Sequence, residues 1–201
     1  MSAPGPPRPP AGSSRYTWIV GVAALLALAY ITLNTLGTDA PGSRGVPNGE
    51  RLPPFAVPLV LSDLEGDAQV DPRKACRVRG PKVLNSCALV ERGPVAIAFF
   101  ADRSGRCERQ IDALERVRPR FPDIGFAAVS VRGDRAKLRR LVRARGWRMP
   151  VGFDRDGAVS NAYAVAICPT ITFARRGGKV QSTSFALLDE RALTARLKAL
   201  R

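Results

Sequence analysis

The 201-residue chain contains no histidine. That excludes imidazole general bases, Ser-His-Asp triads and the common His-bearing zinc sites. Four cysteines are too few and too widely spaced for a disulfide-dense miniprotein. They form no Cys-x2-Cys knuckle, so a four-sulfur metal site is not expected. Acidic residues are outnumbered, 17 against 32 basic, for a net charge of +15. Such a balance raises nucleic acid as a partner. However, the arginines are spread along the whole chain and aromatics make up only 6%, so no basic tract is interleaved with stacking rings. The reading is a generally basic surface and no nucleic-acid partner.

What is present is enough for one globular domain with appendages: 45% hydrophobic and 24% charged residues. Residues 1–16 are rich in Pro, Gly, Ser and Ala and read as a disordered cytoplasmic tail. From Thr17 to Leu36 the chain carries no charge. About 20 such residues at about 1.5 Å each match a hydrocarbon core of roughly 30 Å, which predicts a single transmembrane anchor. A cleaved signal peptide would have a shorter apolar region and a small-x-small site, and Thr38-Asp39-Ala40 is a poor one. Arg8 and Arg15 precede the run, and only Asp39 lies in the residues directly after it. The positive-inside bias therefore places the N-terminus in the cytoplasm and the C-terminal part outside, in a compartment where disulfides persist. Residues 37–51 read as a flexible linker.

Residues 52–201 read as the folded part. Leu52–Leu61 and Gln69–Val70 flank an acidic turn as an extended opening element, and residues 71–93 are an irregular insertion holding Cys76 and Cys87. Pro94–Phe100 and Asp123–Val131 are continuous apolar runs of the kind that form strands buried on both faces. Ser104 stands at a helix N-cap, with Ile111, Leu114 and Val117 following at helical spacing. Asp134 caps a basic amphipathic helix, read as a solvated face, with Leu138, Leu141 and Val142 as its apolar stripe. A short helical stretch lies around residues 158–165. Pro169–Phe173 and Lys179–Leu187 form a hairpin about Arg175-Arg176-Gly177-Gly178, and Asp189–Leu200 closes the chain as a helix. The order predicts an α/β fold, a central mixed sheet with helices on its faces.

With these residues in place, the stretches LPPFAVPLVLSDLEGDAQV, VAIAFFADRSGRCERQIDALERV, PVGFDRDGAVSNAYAV and CPTITFARRGGKV resemble the thioredoxin fold. They look closest to the membrane-anchored TlpA/ResA and redoxin (AhpC/TSA-like) group. Where that group usually has Cys-x-x-Cys, this chain has Ser104-Gly105-Arg106-Cys107. A serine hydroxyl forms no disulfide, so a dithiol cycle inside the motif is impossible. Ser-x-x-Cys is also similar to the Thr/Ser-x-x-Cys of peroxiredoxins, but Phe100 stands where the longer peroxiredoxin motif has proline.

Cys107 sits in the first turn of a helix, where orphan N–H groups and the positive dipole end stabilise a thiolate. Arg103 and Arg106 flank it, and the Ser104 hydroxyl can donate to it. The resemblance implies that Pro169 is cis and that its loop, with Thr170, lines the substrate groove against the helix start. Cys168 is thereby placed near Cys107 as a resolving thiol, with Cys107 as the nucleophile. For Cys76 and Cys87 a structural disulfide is expected, with a relay to the other pair as the rarer reading. The function implied is thiol–disulfide chemistry on protein thiols or disulfides, using an external, unidentified redox donor and no bound cofactor. Two alternatives stand beside it: a peroxidase using Cys107, and a binding or assembly module that kept the fold and lost the activity.

Overall fold

The computed structural model describes residues 14–37, 45–102 and 104–201. The expected tail up to residue 13 and Arg103 lie outside the described residues. The chain divides into two units, Met1–Ala40 and Pro41–Arg201.

In the first unit, α1 spans Ser14–Gly37. The helix expected over the uncharged run is present. Among the described residues, no helix is long and apolar enough to cross a membrane.

The second unit opens earlier than residue 52. Gly49 N–H donates to the Val180 carbonyl at 2.8 Å and Val46 is buried, so residues 45–51 are docked on the domain rather than free as a linker. Strand β1 (Ala56–Pro58) follows, then α2 (Pro72–Ala75), β2 (Val83–Asn85) and α3 (Ser86–Arg92). The insertion expected to be irregular is thus ordered. Its β2 pairs antiparallel with β1, Ala56 opposite Asn85. Buried Asn85 explains the order: its amide donates to the Ala75 and Val78 carbonyls at 2.8 Å, and its oxygen caps α3 through Ala88 N–H.

The main sheet is built from β3 (Val95–Phe100), β4 (Gly125–Val131), β5 (Val151–Asp154), β6 (Thr170–Ala174) and β7 (Val180–Ser184). Their order is β5-β4-β3-β6-β7. Strands β3, β4 and β5 are parallel, and β6 and β7 run antiparallel. Helix α4 (Gly105–Val117) and a 3-10 turn (Arg118–Arg120) connect β3 to β4, and α5 (Arg135–Arg145) connects β4 to β5. Helix α6 (Ala158–Ala162) precedes β6, and α7 (Glu190–Lys198) ends the fold.

All six residues of β3 are buried, because its side chains alternate between two cores. Ala96, Ala98 and Phe100 join Ile111 and Leu114 of α4 and Leu193 and Leu197 of α7. Val95, Ile97 and Phe99 meet Phe55, Val57 and Tyr163 on the other face. The β6–β7 hairpin turns on Gly177 and Gly178, at φ 79° and 83°, a left-handed conformation that glycine adopts without steric cost. The α5 face differs from a merely solvated one. Arg135 donates to the Leu59, Ser62 and Leu64 carbonyls and Arg139 to those of Val60 and Ser62, so the two arginines hold the acidic turn onto the domain.

Helix α3 reaches β3 through Gly93, where backbone comes close to backbone: a Cβ there would lie 2.5 Å from the Asp123 carbonyl oxygen. Gly93→Ala is therefore expected to destabilise the domain by about 1–3 kcal/mol, read as a lower urea midpoint at unchanged slope.

Candidate functional site

Strand register assembles the site. In the β3–β6 pair Phe99 lies opposite Thr170. The residues just after β3 and just before β6 therefore meet at one end of the sheet. Those residues are Ser104 with the start of α4, and Cys168 with Pro169. The Cys168–Pro169 peptide is cis. Cys107 and Cys168 are joined by a disulfide, with S–S 1.96 Å and Cα atoms 5.7 Å apart, inside the roughly 7 Å reach of such a bridge.

The two sulfurs have different surroundings. Cys107 is 1% exposed and belongs to the core with Phe100 and Ile111. Cys168 is half-buried and packs at the edge of that core. Ser104 occupies the N-cap position, yet its side chain makes no cap hydrogen bond. Its hydroxyl instead donates to Cys107 Sγ at 2.9 Å, while its carbonyl accepts from the Cys107 and Glu108 N–H groups. Hydroxyl and helix end therefore address the same sulfur.

The other expected site residues are placed as follows. Arg106 is exposed on the first turn of α4. Pro169 is buried, and so is Thr170, whose hydroxyl donates to the Ile167 carbonyl at 2.6 Å. Thr170 thus ties the loop to itself rather than presenting its hydroxyl to a groove.

Cys76 and Cys87 form the second disulfide, S–S 1.95 Å and Cα–Cα 5.4 Å. It joins the end of α2 to α3 and borders an apolar-walled cavity of about 440 Å³ together with Leu52, Pro53, Val90 and Gly178. This is the opposite end of the sheet. The length of β3, six residues at about 3.3 Å each, lies between the two ends. Among the described residues, no group of three or more Cys, His, Asp or Glu could hold a metal ion.

Sequence patterning gave no sign of three polar residues that hold the site in place. Gln110, fully buried one turn beyond Cys107, donates to the Leu188 carbonyl and accepts from Leu188 N–H, clamping α4 to the approach to α7. Buried Asp154 ends β5 and accepts from the Val159 and Ser160 N–H groups at 3.1 and 2.9 Å and from the Ser160 hydroxyl at 2.6 Å. It thereby fixes α6 and the path toward Cys168. Tyr163 donates to the Pro53 carbonyl at 3.0 Å and packs on Phe55 and Phe99. Burial pushes its phenol up, so it stays a donor. In sequence, Asp154 is indistinguishable from the exposed Asp156 two residues on. Their difference is burial, which only the fold decides.

The AhpC/TSA family matches residues 76–183, a span that takes in all four cysteines and both halves of the site. The chain belongs to the AhpC/TSA family. No curated protein matches it. Among solved structures, it is similar to a secreted Mycobacterium tuberculosis disulfide oxidoreductase homologous to Escherichia coli DsbE. The identity is 21%, over 59% of this chain and 89% of that one, with a TM-score of 0.54. It is similar to a thiol:disulfide interchange protein of the thioredoxin family from Chlorobium tepidum, at 14% identity over 77% and 98% of the chains and a TM-score of 0.61. Mycobacterium tuberculosis DsbF, in mixed oxidised and reduced forms, aligns at 20% identity over 59% and 88%, TM-score 0.55. At such identities the likeness is one of fold: a thioredoxin-like α/β domain.

Because Asp154 satisfies three donors in a buried place, Asp154→Ala is expected to cost about 2–4 kcal/mol. Hydrogen exchange should speed up first over residues 157–168, the segment it anchors. Equal protection loss across the whole domain would count against that anchoring role.

Proposed function

We propose that this AhpC/TSA-family chain is a thiol–disulfide exchanger of the extracytoplasmic space, with Cys107 and Cys168 as its redox pair. The observation that carries the reading is the bridge between the start of α4 and the proline loop. It supplies a second sulfur where Ser104 has replaced the first cysteine of the motif. Protein dithiols or disulfides are the substrates of such a pair, and an external redox donor or acceptor completes the cycle. Ser104 and the helix end stabilise the Cys107 thiolate, Pro169 and Thr170 shape the loop at which substrate arrives, and Arg106, with Arg103, adds positive charge. The chemistry requires no resident cofactor, because the electrons pass between sulfurs.

Two disulfides in one small domain fit an oxidising compartment. Attachment to a membrane is part of the same reading. The described side chains of α1 are exposed on every side, from Trp18 at 73% to Leu33, and a helix apolar all round needs an apolar medium. The full chain is expected to stay with the membrane pellet after a carbonate wash; recovery in the supernatant would remove the attachment.

The exchange itself is tested with a reduced two-cysteine peptide and glutathione disulfide as terminal oxidant. The wild-type chain is expected to accelerate peptide oxidation, and the double variant Cys107→Ala, Cys168→Ala to return the rate to that of the uncatalysed mixture. The double variant Cys76→Ala, Cys87→Ala should lose about 2–4 kcal/mol of stability and keep the exchange activity. A reduced protein that consumes hydrogen peroxide but leaves the peptide untouched would favour the peroxidase, for which the Ser104–Cys107 contact is the supporting observation. A chain inert in both assays would leave the binding module.

A further inference from the structure

Exchange at a disulfide has two possible outcomes, because an incoming thiolate can attack either sulfur. Two quantities decide between them: which sulfur can be reached, and which leaves more readily as a thiolate. In this domain both favour the same sulfur. Cys107 is sealed, 1% exposed, within the core that also holds Phe100 and Ile111. Cys168 is half-buried, and the residue before it, Ile167, is 51% exposed. A nucleophile arriving from solvent therefore meets the Cys168 sulfur. The sulfur displaced by that attack is Cys107, and it leaves into a prepared setting. The first turn of a 13-residue helix lies around it, and the Ser104 hydroxyl already points at it from 2.9 Å. A sulfur whose thiolate is stabilised is the better leaving group.

We propose that Cys168, in the proline loop, is the residue that forms the mixed disulfide with substrate, and that Cys107 is the buried resolving sulfur. This inverts the assignment that the motif position of Cys107 implies, and it rests on the thiol–disulfide reading above. In the oxidising direction, a substrate thiolate attacks Cys168 Sγ. The substrate–Cys168 bond forms, the Cys107–Cys168 bond breaks, and Cys107 departs as a thiolate. The second substrate thiol, deprotonated to solvent, then attacks the substrate sulfur of the mixed disulfide and releases Cys168 as a thiolate. The substrate has lost two electrons to form its disulfide, and the protein pair has gained them. In the reducing direction the Cys168 thiolate attacks the substrate disulfide and expels one substrate thiolate. Cys107 then attacks Cys168 Sγ, expels the other and restores the bridge. In both directions Cys107 bonds only to Cys168, so it needs no path to solvent and its burial is compatible with turnover.

The scheme also gives Ser104 a positioning role. It stands where the motif's first cysteine would stand, but as a hydrogen-bond donor to the inner sulfur rather than as the outer sulfur.

The test uses the full chain and glutathione disulfide as the probe. Reduced Cys107→Ser, keeping Cys168, is expected to accept glutathione at Cys168 at least about tenfold faster than reduced Cys168→Ser accepts it at Cys107. Intact mass and peptide mapping give the site, and the Cys→Ala versions guard against a fold artefact in either serine variant. Wild-type chain quenched with iodoacetamide during peptide oxidation provides a second measurement free of substitution. The peptide adduct should map to Cys168 and the alkyl group to Cys107. Equal or reversed rates, or a wild-type peptide adduct on Cys107, overturn the order of attack while leaving exchange intact. A wild-type chain that fails to turn over the peptide overturns the exchange reading, and the order with it.

Discussion

The pairing of β3 with β6 is the constraint on which the site depends. It is antiparallel and in fixed register, Phe99 opposite Thr170, so a residue two positions before β6 must lie beside the turn that leaves β3. A one-residue slip would turn Ile97 and Phe99 out of one core and Ala98 and Phe100 out of the other. The two hydrophobic cores that β3 separates therefore bring Cys107 and Cys168 within reach of each other, and the disulfide then joins them. Parallel pairing of β3 with β4 on the other side sets the direction of α4, which starts where β3 ends and presents its N-terminal turn to the proline loop.

Around that frame, buried polar groups do the fine positioning. Gln110 holds α4 to the segment before α7, Asp154 holds α6, and Asn85 orders a segment whose composition reads as loop. Each is hydrogen-bonded through its side chain to backbone groups that would otherwise be buried without partners, a costly condition. Surface ion pairs such as Arg79–Glu91 and Lys82–Asp63 are exposed on both sides and contribute little by comparison. The arginines of α5 divide accordingly: Arg135 and Arg139 donate to backbone carbonyls of the acidic turn, and part of the basic character seen in composition is structural rather than a surface offered to a partner.

The replacement of a motif cysteine by Ser104 has a simple structural consequence. The sulfur that Ser104 cannot supply is found instead in the proline loop, where half-buried Cys168 bridges to Cys107. The inner cysteine keeps its place at the helix end, with a hydroxyl in hydrogen-bond reach in place of a partner sulfur. The second disulfide, at the far end of β3, braces the α2–α3 segment.

Much of the fold was legible in the chain. The apolar runs at Pro94–Phe100 and Asp123–Val131, the helical spacing of Ile111, Leu114 and Val117, and the Gly177-Gly178 turn each specify a local structure through periodicity and backbone freedom, which are properties of neighbouring residues. The order within residues 71–93, the docking of residues 45–51 and the clamp role of Arg135 and Arg139 were not legible, because each depends on a partner far away in sequence. The same division runs through the site. The sequence by itself determined that Cys107 stands in the first turn of a helix, that Cys168 precedes a proline and that Ser104 cannot bridge. Only the tertiary structure decided that Cys107 is sealed in the core while Cys168 reaches the edge. Burial is set by what the whole sheet and its helices place over a residue, and no local pattern encodes it.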